Sequence, residues 1–418
     1  FVAIRGERFD GHSFLHNAED GGAAAVLVDA PQDGLSIPQV VVSHTGEALL
    51  ALGLARRREF SGPVVAITGS SGKTTTRRIL AAVIGKRYIT HQPVRNFNNH
   101  IGVPLTLLDL QRSHQAAVLE LGCSDFGEIA TLTSCVDPDL GLITNVGPAH
   151  LERLGDLDGV ARAKGELFRG LKETAMAVVN ADDPRVAGMR INAARRVTYS
   201  AEKDADVQLV SAEPNGVLGQ NLVLQIQGTA QTASLPLLGM HNATNALAAT
   251  AAAVALGMNP EQIALGLQEA MPEPGRLFPI KDTNGALIID DTYNANPASM
   301  RAALDVLAKT AVGGRSFAVL GDMLELGEHF EQAHVDMGRY AAGQGIDYLV
   351  TVGRGGEHMQ RGAKLAGMSD SRRIHVDDRE RAAEVVRKTA VSEDTVLVKG
   401  SRGMQMDNVV VRLVEGGN

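Results

Sequence analysis

Residues 66–76, AITGSSGKTTT, join an apolar run, VVAIT, to a short glycine turn followed by a lysine and three threonines. Such a turn can hold a phosphate: backbone N–H groups at a helix N-terminus point at an anion, and the helix dipole adds to them. The long form of this loop, G-x-x-x-x-G-K-[ST], needs a glycine where this chain has Ile67. What remains is Gly69-x-x-Gly72-Lys73-Thr74. Gly69 and Gly72 allow close backbone approach, and Ser70, Ser71 and Thr75 share the turn and the helix start. Lys73 brings positive charge to the outer phosphate oxygens, and the Thr74 hydroxyl can ligate Mg²⁺. A glycine-rich turn alone is common in α/β proteins without nucleotides; joined to GKTTT directly after VVAIT, it predicts nucleotide binding.

Mg²⁺ prefers oxygen ligands and needs more than one hydroxyl. Glu120 ends the run AAVLEL, and His150 follows LITNVGPA. In a parallel sheet both would lie on the edge where ligands bind. Glu120 could instead be a capping or solvent-facing carboxylate. His150 could be an ordinary histidine among the 12 in the chain.

These residues need a scaffold. The chain has 418 residues, 44% apolar and 21% charged, so two or three domains are expected. A formal charge of −8 argues against nucleic-acid partners and anionic membranes. Two cysteines, Cys123 and Cys135, cannot build a disulfide framework or a zinc cage, which fits a reduced cytoplasmic location. No apolar run is long enough to span a bilayer, and no signal-peptide pattern occurs. The opening FVAIRG reads as a strand already under way, so further residues are expected upstream.

The predicted fold class is α/β with three domains. Residues 1–62 form a small N-terminal α/β domain, with runs FVAIRG, AAAVLVDA and QVVVS and a helix from about Gly46 to Arg58. Residues 63–272 form a central P-loop-type domain. Its runs VVAITG, AAVLELG, LGLITNVG and AMAVVNAD are apolar on both faces, as in a parallel sheet covered by helices. Within it, 202–235 alternates with period two and predicts antiparallel hairpins, and HNATNALAATAAAVALG predicts a helix. Residues 273–418 alternate strands (GALIIDDT, SFAVLGD, YLVTVG, RIHV, TVLVKGS) with helices such as 297–309 and 378–389, a Rossmann-like series.

The motifs TGSSGKTTT, NFNNHIGVPLTLL, LELGCSDFGEI, TNVGPAHLERLG, AKGELF, GMHNATNALAA, EPGR, IDDTYNANPASM, LGDMLELGE and VLVKGSRGMQMD resemble those of the Mur ligases of peptidoglycan synthesis over nearly the whole chain. The phosphate turn alone also fits folylpolyglutamate synthetases. DDTYNANPASM with LGDMLELGE is similar to the branch that adds D-Ala-D-Ala.

The resemblance implies that ATP phosphorylates the carboxylate of UDP-MurNAc-tripeptide. The amine of D-Ala-D-Ala then attacks the acyl phosphate and phosphate leaves. It implies ATP and Mg²⁺ as cofactors, with Lys73, His150, Lys164 and Arg276 as catalytic residues. Lys164 matches the family's carbamylated lysine, which would join Thr74, Glu120 and His150 around metal; without the resemblance it reads as a surface lysine on an amphipathic helix. Asn242 beside His241 would approach the base, although an N-cap explains one of Asn242 and Asn245. Arg276 would reach the γ-phosphate, or serve as a hinge arginine paired to a local carboxylate. Asp291 would hold the ribose, with Tyr293, Asn294 and Asn296 around the nucleotide, and Asp290 would be a turn residue. ATP would sit between the central and C-terminal domains.

The N-terminal domain would bind the uridine end of the substrate, and the family's stretch upstream of FVAI is expected before this chain. Arg5, Asp10, Gly11, His12, Asn96, Asn98 and Asn99 would contact this substrate, though a turn at Asp10-Gly11 is an adequate structural reason for two of them. Asp322, Glu325 and Arg402 would choose D-Ala-D-Ala, or be strand-end turns and a helix cap. No nucleic acid, no membrane insertion and a monomer are expected.

Overall fold

In the computed structural model residues 1–6, 9–93 and 97–415 are described. The chain divides into two compact units: residues 1–149, 156–199 and 251–258, and residues 150–155, 200–250 and 259–418.

The first unit opens with a two-stranded parallel sheet, β1 (Val26–Val28) beside β2 (Gln39–Val41). Ala3, Leu15, Val26 and Val28 make its small core. FVAIRG, expected as a strand, forms only two isolated bridges, Val2 with Leu27 and Arg5 with Asp10. Gly6 N donates to Phe9 O at 2.8 Å and Gly11 N to Ile4 O at 2.9 Å, so the chain has doubled back by Gly11, where a Cβ would come within 2.7 Å of Ile4 N, and no longer ladder extends. The helix expected over 46–58 spans Thr45–Glu59.

The main sheet of this unit uses β3 (Val64–Thr68), β4 (Thr90–His91), β5 (Ala116–Glu120), β6 (Leu140–Ile143), β7 (Met176–Asn180) and β8 (Arg195–Ser200). Their order is β8-β7-β6-β3-β5-β4, all neighbours parallel. Every residue of β3, β5 and β6 is buried, as runs apolar on both faces demand. The order turns outward in both directions from β3, so the β3 C-terminal end is a switch point where ligands bind in such sheets. The phosphate turn leaves β3 there and enters the helix Lys73–Ile84.

The second unit contains β9 (Val207–Pro214), β10 (Gln220–Ile226) and β11 (Thr229–Leu235), antiparallel neighbours as the period-two alternation predicts. The alanine-rich helix spans Met240–Ala255, crossing the boundary between units at residue 250. The rest is a sheet of β12 (Phe278–Lys281), β13 (Leu287–Asp291), β14 (Ser316–Leu320), β15 (Tyr348–Val352), β16 (Arg373–Val376) and β17 (Thr395–Lys399), ordered β12-β13-β17-β14-β15-β16. Only β12 runs antiparallel to its neighbour. Alternate residues enter separate cores: Ile289, Ala318, Leu320, Leu349 and Leu397 one, and Ile288, Phe317, Val319, Val350 and Val396 the other. Both faces of the sheet are therefore covered.

The helix Pro297–Thr310 starts where its sequence dictates. Asn296 and Ser299 form a reciprocal capping box and Pro297 occupies the first turn. Asp378 caps Arg379–Thr389 by accepting from Arg381 N.

Candidate active site

Gly69 has φ +149° and Gly72 +78°. A Cβ on Gly69 would lie 1.9 Å from Thr144 Oγ1, so the turn closes on its neighbour only because that residue is glycine. Thr74 and Thr75 lie in the first turn of the following helix, Thr74 buried and Thr75 half-buried. Lys73 Nζ donates to Gly69 O at 2.8 Å, folding the ammonium over the turn.

Thr74 Oγ1 donates to Glu120 Oε2 at 2.7 Å, and Asn98 Nδ2 donates to Glu120 Oε1 at 2.9 Å. Glu120 is 2% exposed, which excludes its solvent-facing alternative. Gly122 N donates to Asn98 O at 2.8 Å, and a Cβ there would strike the Asn98 amide at 2.8 Å. The expected residues Thr74, Glu120 and Asn98 are thus one hydrogen-bonded group at the end of β5. Asn99 accepts from Ile101 N and Gly102 N, starting the helix Gly102–Leu108. Asn96 lies outside the described residues.

Lys164 ends the helix Leu157–Lys164 and is 2% exposed, not a surface lysine. Its Nζ lies 2.9 Å from Cys123 Sγ, a neighbour that the sequence reading did not single out. Among the described residues no group of three or more His, Cys, Asp or Glu is placed to hold a metal. His150, in a left-handed conformation with φ 53°, falls in the second unit.

Near the N-terminus, Arg5 pairs with Asp29 at 2.8 Å and Asp10 at 3.2 Å, and His12 Nδ1 meets Asp10 at 2.7 Å. The hydrogen bonds from His12 hold the Asp10 carboxyl below its usual range. Arg5, Asp10 and His12 are therefore joined in one network, whose fourth member, Asp29, the sequence did not suggest.

In the second unit Asp291 ends β13 beside Lys399 at the end of β17. Lys399 Nζ donates to Asp291 Oδ2 at 2.6 Å and to Asn294 O at 2.9 Å, and Leu277 N donates to Asp291 Oδ1 at 3.2 Å. Asp290 takes the turn role expected of it, accepting from Gly275 N, Thr292 N and Thr292 Oγ1. Burial pushes its carboxyl up. The Arg276 guanidinium stacks 4.1 Å from the Tyr293 ring centre and lies 3.5 Å from Glu273.

Arg402 N lies 3.4 Å from Asn294 Oδ1, and its guanidinium is 5.8 Å from the Tyr293 ring. Asn296 is the helix cap described above. Asn242 faces inward, donating to Leu238 O at 2.8 Å and accepting from Asn245 Nδ2 at 3.0 Å. Both asparagines are buried at the helix start and bonded to each other. His241, half-buried, is held below the usual histidine range by desolvation.

Asp322 is buried and accepts from Gly356 N at 3.2 Å at the start of the helix Arg354–Leu365. Burial raises its carboxyl above the usual range. Glu325 is exposed and left-handed, φ 61°. No helix among the described residues is long and apolar enough to cross a membrane.

A phosphate turn at a parallel-sheet switch point, with an oxygen pair beside it, suits polyphosphate chemistry. The Mur ligase middle domain family matches residues 67–253, and the Mur ligase glutamate ligase domain family matches residues 275–402. The chain is 39% identical to the UDP-N-acetylmuramoyl-tripeptide–D-alanyl-D-alanine ligase of Escherichia coli strain K12, over 100% of this chain and 91% of that one. A crystal structure of MurF from Acinetobacter baumannii is similar with TM-score 0.90 and 36% identity, covering 99% of this chain and 90% of that one. MurF ligase from Thermotoga maritima in complex with ADP gives TM-score 0.87 and 28% identity, covering 99% and 94%. The chain belongs to the Mur ligase family.

Proposed function

We infer that this protein is an ATP-dependent ligase that joins D-alanyl-D-alanine to UDP-N-acetylmuramoyl-tripeptide, forming the pentapeptide precursor of peptidoglycan. Full-length identity of 39% to a ligase of that name carries the reading, and the ADP-bound relative supports ATP use. The chemistry must bring two anions together, a peptide carboxylate and a triphosphate, so positive charge has to offset their repulsion. A carboxylate oxygen attacks the γ-phosphorus and ADP leaves. The D-Ala-D-Ala nitrogen then attacks the acyl carbon, losing a proton as phosphate departs. Catalysis by positioning and charge neutralisation needs no protein nucleophile.

In this reading the amides from Gly72 onward and Lys73 grip the phosphates, Lys73 Nζ exchanging Gly69 O for a phosphate oxygen. Thr74 Oγ1 and Glu120 Oε2, 2.7 Å apart, are hard oxygens of the kind Mg²⁺ takes while keeping waters and phosphate oxygens as its other ligands. Bound there, Mg²⁺ would supply neutralisation of developing charge. Asn98 orients Glu120. Tyr293, with Arg276 stacked on it, and Asp291 with Asn294 are assigned to the nucleotide. Arg5, Asp10 and His12 are assigned to the UDP end, and Arg402 and Glu325 to D-Ala-D-Ala. A carbamate on Lys164 would require its amine to leave Cys123 Sγ; intact mass showing one added carbon dioxide tests that assignment.

The division at 62/63 and 272/273, a monomeric state and a cytoplasmic location belong to the same proposal. Two free buried thiols support that location. The experiment is phosphate release by the purified protein with a substrate panel. Release should need both UDP-MurNAc-tripeptide and D-Ala-D-Ala, with a new amide by mass spectrometry, and Lys73→Ala should abolish it. Release with folate and glutamate instead would reverse the assignment.

A further inference from the structure

The loop after β6 is joined to the phosphate turn by more bonds than packing alone requires. Asn145 O accepts from Ser70 N at 3.0 Å. Asn145 Oδ1 accepts from Ser71 N and from Ser71 Oγ, each at 3.1 Å, and Asn145 Nδ2 donates to Ser71 O at 3.2 Å. Thr144 Oγ1 donates to the same Ser71 O at 2.6 Å. Ser70 Oγ donates to Gly147 O and accepts from Gly147 N, both at 2.9 Å. The loop is itself anchored from behind: Thr144 O accepts from Asn180 Nδ2 at 2.8 Å and Tyr199 Oη at 3.1 Å, and Val146 N donates to Asp183 Oδ2 at 2.7 Å.

The Ser70 and Ser71 amides are therefore spent within the protein. The anion is left to the amides from Gly72 onward and to Lys73, whose aim depends on how Ser70 and Ser71 are held. The Asn145 amide both accepts from and donates to the peptide groups of Ser71. A carboxylate or a hydroxyl cannot reproduce both bonds with the same reach.

We propose that Asn145 is a positioning residue for ATP, holding the Ser70–Ser71 bend so that the helix N-terminus and Lys73 face the phosphates. The proposal rests on the ATP-binding reading above. Asn145 itself touches no phosphate, so its loss acts through the turn.

The test is MgADP affinity and steady-state kinetics of Asn145→Ala and Asn145→Asp in the full chain. Asn145→Ala loses three bonds of ordinary strength, for which about tenfold weaker MgADP binding is expected. The KM for ATP should rise in parallel, the KM for UDP-MurNAc-tripeptide should stay unchanged, and melting should shift by only a few degrees. Asn145→Asp keeps acceptors for Ser71 but adds a negative charge beside the phosphates. Its MgADP deficit relative to wild type should exceed that of Asn145→Ala and shrink at about 1 M salt, where the screening length is roughly 3 Å. If the alanine variant is too unstable to assay, the part of the aspartate deficit that persists at about 1 M salt, with the added charge screened, carries the same readout. MgADP affinity within twofold of wild type, or a loss confined to kcat, overturns the proposal. Wild-type protein that binds no MgADP would instead remove the ATP reading on which it stands.

Discussion

Thr74 Oγ1 donates to Glu120 Oε2 across 46 residues of chain, linking the first turn of the phosphate helix to the end of the neighbouring strand β5. Both side chains are almost fully buried. Glu120→Gln keeps the shape but removes the charge and one acceptor. Phosphate release should fall about 100-fold, and the Mg²⁺ concentration giving half-maximal rate should rise. An Mg²⁺ titration identical to wild type would remove Glu120 from the metal's surroundings.

Buried Lys399 pairs with partly buried Asp291 at the ends of adjacent strands. Lys399→Met strands the partly buried Asp291 carboxylate and should cost about 2 kcal/mol in urea unfolding. Adding Asp291→Asn removes the orphaned charge and should return much of that loss, while MgADP affinity stays low. Equal stability of the single and double variants would contradict this coupling.

Helices Phe330–Gly343 and Arg354–Leu365 touch through reciprocal glycines. A Cβ on Gly338 would lie 1.8 Å from Met359 O, and one on Gly362 would lie 1.9 Å from Val335 O. Helix propensity alone favours alanine over glycine by about 1 kcal/mol. Here backbone meets backbone and cannot yield, so Gly338→Ala should destabilise by about 2 kcal/mol or more. A raised melting temperature would show that the helices separate freely.

His334 is fully buried, its Nδ1 donating to Phe330 O at 2.6 Å and its Nε2 accepting from Met323 N at 2.9 Å. That pattern suits only the neutral ring, since a proton on Nε2 would face another N–H donor. Desolvation holds its pKa below the ordinary value, as it does for His91 and His241. The unfolded chain therefore takes up protons first. Stability is complete above about pH 6.5 and falls as pH drops below it, by at most about 1.4 kcal/mol per pH unit for each histidine. Urea unfolding at pH 7.5 and 5.5 measures the slope. His334→Gln should be less stable at neutral pH and show a shallower decline.

Much of the fold was legible. The runs VVAIT, AAVLE, SFAVL and TVLVK are strands because unbroken apolar residues suit strands buried on both faces, and period-two alternation marks β9–β11 as antiparallel. FVAIRG has the right composition and yet forms only bridges, because whether a segment pairs depends on the space its neighbours leave. At the site, GSSGKTTT announces its chemistry locally: glycine conformations, a lysine and a hydroxyl lie within one turn.

Composition and local order thus determined the alternating α/β plan, the helix starts at Asn296 and Asp378, and the glycine turn before Lys73, since each depends on residues within a few positions of one another. Only tertiary structure decided that Glu120 meets Thr74, that Lys399 neutralises Asp291, that Lys164 lies against Cys123 and that Asn145 braces Ser71. Those partners are 46, 108, 41 and 74 residues apart. Strand order and loop closure brought them together, and no spacing along the chain encodes which side chains will face each other once a sheet has assembled.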